Sequence, residues 1–318
     1  MSHRRIELRI NTGALASGQA WTLAATVHLP DEARLGDRPP VLVAMPGGGY
    51  TRHYFDLREA GYSEAEHHVA HGVVVVAIDH LRVGDSDIPE LEEASLAACA
   101  EANHAAVGVI LEKLRGGTLD PNVGAIVPAA VIGVGQSMGG HIGLLMQANH
   151  KTFDALAMLG SSVVSTRLPA REVGKEVSLM GQTDPVNGLS ALVGFDFKFA
   201  FHWEDVPERF AEADIAGQRG SGPLPYWRSA TTPNAGGGLL PGHLCSAAAV
   251  ITAPVLLGMG ERDVCQDSLR ELAAFMSTRD LALFVAPRMA HMHNFAGTRE
   301  MMWRRLSAFF AQVADRPE

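Results

Sequence analysis

Three residues of this chain have the types and the order needed to move an acyl group. Ser137 stands in Gly135-Gln136-Ser137-Met138-Gly139-Gly140, Asp263 ends Gly260-Glu261-Arg262-Asp263, and His291 follows Ala290. A serine hydroxyl alone is a weak nucleophile. It needs a base to take its proton, an acid to orient that base, and N–H donors where charge develops on the carbonyl oxygen. Gly-x-Ser-x-Gly supports such a serine when a strand runs into it and a helix runs out. Here the apolar run Ala129-Ala130-Val131-Ile132-Gly133-Val134 leads in, and Ile142, Leu144, Leu145 and Met146 follow in a helical pattern. Gly135 and Gly139 leave room for a very tight turn, with Ser137 at its tip in a strained conformation. The positive end of the following helix then faces the reacting centre.

Each of these residues has a competitor. Gly133-x-Gly135 resembles the start of a dinucleotide fingerprint, but Met138 stands where that pattern has glycine, and Asp154 precedes its strand instead of ending it. His293 is an alternative base two residues beyond His291. Asp267 competes with Asp263, although it falls where a helix should begin and suits an N-cap or first-turn role. Ser161 and Ser162 also follow a strand but lack the glycine turn. His67 and His71 have the i, i+4 spacing of a metal pair, yet His68 replaces the glutamate of His-Glu-x-x-His, so a helix face without metal is expected. The oxyanion donors should be backbone N–H groups. Met138, directly after the serine, offers one, and Gly48 or Gly49 in Pro46-Gly47-Gly48-Gly49-Tyr50 offers the other, unless that segment is only a glycine turn.

The elements that must position these groups can be read from apolar periodicity. Ile6, Leu8 and Ile10 alternate, as do Trp21, Leu23, Ala25, Val27 and Leu29, which predicts two half-buried antiparallel strands. Val41–Met45 and Val73–Ile78 are uninterrupted apolar runs, as expected of strands covered on both faces. Ser63-x-x-Glu66 has the form of a capping box, with Gly72 ending that helix. A long Ala-rich helix is predicted over 90–114, further strands over 155–159, 253–259 and 281–285, and helices over 266–277 and 298–313. Alternating strand and helix implies a mostly parallel, twisted sheet of about eight strands with helices on both faces, an α/β fold. Residues 165–248 break the alternation with scattered aromatics and glycine clusters. That is too long for a plain loop and is expected to form a mainly helical cap. The core is then 1–164 and 249–318.

The chain has 318 residues, 47% hydrophobic and 19% charged, enough for one large core and against disorder. A net charge of −9 argues against nucleic acid and anionic membrane surfaces as partners. The three cysteines, Cys99, Cys245 and Cys265, are far apart and fit a reducing cytoplasm. No signal peptide and no membrane-length apolar run is apparent.

Taken together, the motifs resemble those of the α/β-hydrolase superfamily. Asp79-His-Leu-Arg-Val-Gly84-Asp-Ser86 is similar to the family's D-x-x-G-x-G-x-S segment, with Arg82 in place of its first glycine. Pro46-Gly-Gly-Gly resembles the family's oxyanion loop, with Pro46 in the histidine's place. The resemblance covers 40–160 and 250–313 and implies a serine hydrolase acting on an ester, thioester, lactone or amide of a small, fairly apolar molecule. It assigns Ser137 as nucleophile, His291 as base and Asp263 as its orienting acid. Tyr50 and the aromatics Phe199, Phe201 and Trp203 are expected at the substrate, under or within the cap. No metal or cofactor is implied, and a homo-oligomer is compatible with the chain. An acyltransferase using the same residues and a non-catalytic ligand-binding protein on the same fold are the alternatives.

Overall fold

In the computed structural model the described residues are 3–172, 175–178, 195–218, 223–265 and 267–315. In chain order the elements are β1 (Arg4–Asn11), β2 (Thr22–Leu29), β3 (Val41–Met45), α1 (Glu64–Val69), β4 (Val74–Ile78), α2 (Leu96–Arg115), β5 (Val131–Gln136), α3 (Met138–His150) and β6 (Ala155–Leu159). There follow β7 (Arg167–Leu168), β8 (Val177–Ser178), α4 (Phe197–Phe201), α5 (Glu208–Gln218), α6 (Cys245–Ala249), β9 (Val255–Arg262), α7 (Ser268–Leu272), β10 (Leu281–Ala290) and α8 (Arg299–Ala314).

Eight strands form one sheet in the order β1-β2-β4-β3-β5-β6-β9-β10. Only β2 runs against the others. The parallel part is the buried part: every residue of β3, β4, β5 and β6 is buried. Side chains alternate between faces, so each strand feeds two cores. Val41, Val43 and Met45 pack with residues of α2 and α3 on one face. Leu42 and Ala44 pack with α1 and α8 on the other.

Several boundaries differ from those expected. The helix predicted from residue 90 starts at Leu96, because Ser95 Oγ accepts from Ala98 N (3.2 Å) and a separate 3-10 turn, Leu91–Glu93, precedes it. Ser63 caps α1 by accepting from Glu66 N (2.9 Å), but the Glu66 carboxylate turns to His3 and Arg5 (both 3.8 Å). The helix predicted over 266–277 shortens to α7. The last strand runs beyond Val285 to Ala290, through a register shift after Ala286 and an Arg288 with φ 51°. Residues 165–248 lie between β6 and β9 in the chain. Among its described residues are the small β7–β8 pair, α4, α5, a 3-10 turn at Gly236–Leu239 and α6.

Candidate active site

The parallel strands all end on the same side of the sheet, and the chemistry-bearing residues follow those ends. β5 leads to Ser137, β9 to Asp263, β10 to His291 and β3 to Pro46-Gly47-Gly48-Gly49.

Ser137 has φ 53° and ψ −119°, a conformation that costs a non-glycine residue of order 1–3 kcal/mol. Its neighbours hold it there. Its N–H donates to Leu159 O (2.7 Å), and its carbonyl accepts from Ser161 Oγ (2.8 Å) and Gly140 N (2.9 Å). The turn is closed by missing side chains. A Cβ on Gly135 would strike the Gly139 carbonyl, and one on Gly139 would strike the carbonyls of Met45 and Pro46. Ser161, considered above only as a rival nucleophile, is therefore a brace for the turn.

His291 Nε2 lies 3.0 Å from Ser137 Oγ, and its Nδ1 lies 2.7 Å from Asp263 Oδ1. His293 does not reach the serine oxygen; its Nε2 lies 2.7 Å from the other carboxylate oxygen of Asp263. Asp263 also accepts from Gly260 N and Val264 N, both at 2.8 Å. Burial alone would raise the pKa of this carboxyl group. The adjoining His293 and His291, through charge and hydrogen bonds, outweigh burial and hold it far below the usual carboxylate range. Asp267 lies away from this cluster, at the N-cap of α7, and makes no side-chain cap bond there.

Met138 is the first residue of α3, so its N–H has no acceptor within the helix. Gly48 faces it: a Cβ on Gly48 would lie 3.7 Å from the Met138 sulfur. The Gly49 carbonyl accepts from Ser229 N (2.9 Å). The loop is anchored by His80, whose Nε2 is placed to donate to Pro46 O (2.9 Å) while its Nδ1 is placed to accept from Asn103 Nδ2 (2.7 Å). Burial lowers the His80 pKa to about 4, which keeps the ring neutral and able to do both. Asp79 binds the backbone N–H of Arg52 (2.6 Å) and its guanidinium. Arg82 takes φ 63°, the left-handed conformation suited to the glycine it replaces.

The segment between β6 and β9 touches the site at two places. Ala200 and Phe201 of α4 accept from the N–H groups of His291 (3.3 Å) and Met292 (2.9 Å), and the Phe201 ring lies 5.1 Å from the His291 ring. Phe199 and Trp203 flank the Arg262 guanidinium at 3.8 and 4.5 Å, so they tie α4 to the end of β9. Further along, Trp227 and Ser229 pair with Thr51 and Gly49 (both 2.9 Å), beside the glycine loop. Tyr50 is 2% exposed and its hydroxyl donates to Asp214 (2.6 Å). That bond ties the glycine loop to α5.

Ligand-type side chains also meet at His3, His28 and Asp56, which lie close enough to share a metal ion. There the Arg5 guanidinium, 2.9 Å from Asp56, already supplies positive charge. In the His67–His71 pair, His71 Nδ1 is engaged by the His67 carbonyl (2.7 Å).

The alpha/beta hydrolase family model matches residues 41–302, from β3 to the start of α8. The chain belongs to the alpha/beta hydrolase family. Solved structures carry the same fold. An esterase from Exiguobacterium antarcticum is 18% identical, with a TM-score of 0.63 over 95% of this chain and 98% of that one. A proline iminopeptidase from Mycobacterium smegmatis is 17% identical, with a TM-score of 0.61 over 98% and 99%. GrgF from Penicillium sp. sh18, described as an alpha/beta hydrolase, is 16% identical, with a TM-score of 0.63 over 98% and 100%. No curated protein matches this alpha/beta hydrolase significantly in sequence. Among the described residues, no helix is long and apolar enough to cross a membrane.

Proposed function

We propose that this alpha/beta hydrolase cleaves an ester, thioester, lactone or amide of a small molecule through an acyl-enzyme on Ser137. The observation that carries the reading is the continuous chain from Ser137 Oγ to His291 (3.0 Å) and on to buried Asp263 (2.7 Å). In this mechanism His291 Nε2 takes the Oγ proton as Oγ attacks the substrate carbonyl. Asp263 holds the ring in the required tautomer and offsets its charge once protonated. The N–H group of Met138 and that of Gly48 or Gly49 receive the oxyanion. The tetrahedral intermediate collapses as His291 returns its proton to the leaving alcohol, thiol or amine. His291 then takes a proton from a water that attacks the acyl-enzyme, and returns it to Ser137 Oγ as the acid leaves.

Residues 165–248 serve as a cap in this reading, shielding the acyl-enzyme and shaping the pocket around Phe199, Phe201 and Trp203. No cofactor is required. The three free cysteines suit a reducing cytoplasm.

A fluorophosphonate probe tests the proposal, with a panel of esters, thioesters, lactones and amides run alongside. Labelling at Ser137 with matching turnover is expected. Absence of labelling, or turnover that survives blocking of Ser137, would overturn it. Acyl transfer to added alcohols in preference to water would reassign the protein as an acyltransferase.

A further inference from the structure

Arg228 has no part in the reaction just described, yet it sits beside the glycine loop with donors unspent. Its side chain is only 7% exposed. Its Nε and Nη1 are buried without a hydrogen-bond partner among the described residues. A buried donor left unpaired is costly, and a charged one more so. The nearest acid does not relieve it. Asp214 Oδ1 lies 3.6 Å from Arg228 Nη1, beyond hydrogen-bond distance. The Asp214 carboxylate is already engaged by the Tyr50 hydroxyl (2.6 Å), His202 Nε2 (3.0 Å) and Trp227 Nε1 (3.4 Å). Asp214 therefore balances part of the charge while leaving the directional donors of Arg228 unmet.

The backbone fixes where the guanidinium lies, with Nη1 towards Asp214 and Nη2 towards the glycine loop. Arg228 forms an antiparallel bridge with Tyr50, and its guanidinium carbon lies 4.2 Å from the centre of the Tyr50 ring. A Cβ on Gly49 would lie 3.6 Å from Arg228 Nη2, one on Gly48 3.7 Å from the Met138 sulfur, and one on Gly47 3.2 Å from Ser137 Cβ. Three successive glycines thus border the guanidinium, the first residue of α3 and the nucleophile in turn. Two residues of chain span at most ~7 Å.

We propose that Arg228 binds a carboxylate carried by the substrate, a short distance from the carbonyl that Ser137 attacks. The proposal rests on the hydrolase reading above and narrows it from small esters in general to those bearing a free acid. A guanidinium held in place by stacking and an ion pair matches a carboxylate with two parallel N–H bonds, and the incoming charge offsets a cation already desolvated. A half-ester of a short dicarboxylic acid has this form, its two ends separated by a few methylenes. The substrate is then less apolar than the composition of the cap suggests.

The test compares the methyl half-esters of succinic, glutaric and adipic acid with neutral methyl esters of matching length, followed by acid release. The readout is the ratio of kcat/KM, half-ester over neutral ester. Arg228→Met should lower that ratio by about 10²-fold at the best chain length, the size expected for losing a charge-assisted pair. Arg228→Lys, which keeps the charge without the fork, should lower it less. If Arg228→Met leaves the ratio unchanged at all three lengths, Arg228 is only a structural partner of Asp214 and the proposal is wrong. Near-UV circular dichroism checks folding, and Arg228→Lys decides the ratio if Arg228→Met does not fold. Calorimetric titration of glutarate into Ser137→Ala protein separates this proposal from the hydrolase reading. Glutarate binding that Arg228→Met abolishes upholds the carboxylate site even where no ester is cleaved. Absence of glutarate binding, with the esters still cleaved, overturns the site alone.

Discussion

Ser137 keeps a backbone conformation that most residues avoid, and Leu159, Ser161 and Gly140 hold it there. The strain belongs to the turn and not to the hydroxyl, so Ser137→Ala should abolish turnover and leave the thermal midpoint nearly unchanged. Loss of one member of such a set still leaves about 10³–10⁴-fold rate enhancement from the rest of the site. An ester assay paired with a melting curve checks this; activity within tenfold of wild type would remove Ser137 from the mechanism. His291→Ala is expected to match Ser137→Ala in severity. His293→Ala should retain measurable activity but lose stability, on the order of 1–3 kcal/mol, because buried Asp263 gives up one of its hydrogen bonds. The reverse ranking of activities would make His293 the base. Ser137, Asp263 and His291 could be picked out in the sequence because each follows an apolar strand run. His80, Ser161 and Arg228 could not. Each acts on a loop far away in the chain, and none has a local pattern that marks its role.

α4 is held from two sides, by Arg262 between Phe199 and Trp203 and by the His291 loop against Ala200 and Phe201. These aromatics should therefore divide into two groups. Phe201→Ala removes the ring packed against the proposed base and is expected to lower kcat by about tenfold through looser positioning. Phe199→Ala and Trp203→Ala should instead change the ranking among acyl chain lengths, by loosening α4 at the end of β9. Steady-state kinetics over an ester series tests both, and identical profiles for all three variants would contradict the division. The sheet was readable because its central strands are buried on both faces and are written as unbroken apolar runs, Val41–Met45 and Val73–Ile78 among them. β10 was read short because Pro287 and the positive φ of Arg288 interrupt the pattern where the strand resumes after a register shift. The arrangement of the described residues between β6 and β9 was not readable, since α4 and the Trp227–Ser229 stretch are placed by contacts with loops elsewhere in the chain.

Across the whole molecule, buried imidazoles set an acid limit. His80 and His141 are both shifted to about 4 by burial, and both ring systems are engaged with backbone carbonyls. In the unfolded chain each binds a proton near pH 6.5, while in the folded chain it does so only near pH 4. Their contribution is therefore complete above pH 6.5 and is lost as pH falls towards 4, at about 1.4 kcal/mol per pH unit for each ring. Two such rings amount to about 7 kcal/mol, comparable with the whole stability of many domains. Asp263, whose pKa is depressed, adds its loss only below its unfolded value of 3.8. Melting temperature measured against pH should fall steeply between about 6 and 4. A flat profile there would mean that these histidines accept protons in place.

The three proposed reacting side chains do not ride on equally secure supports. Ser137 follows β5, in the middle of the sheet, whereas His291 follows β10, which is paired on one side only. An edge strand opens locally at lower free energy than a central one. Warming should thus detach the base while the nucleophile stays seated, and activity should fade reversibly several degrees below the temperature at which helical and sheet signals collapse. The catalyst is then its own thermometer for the outermost strand, and cross-linking β10 to β9 should bring the two temperatures together.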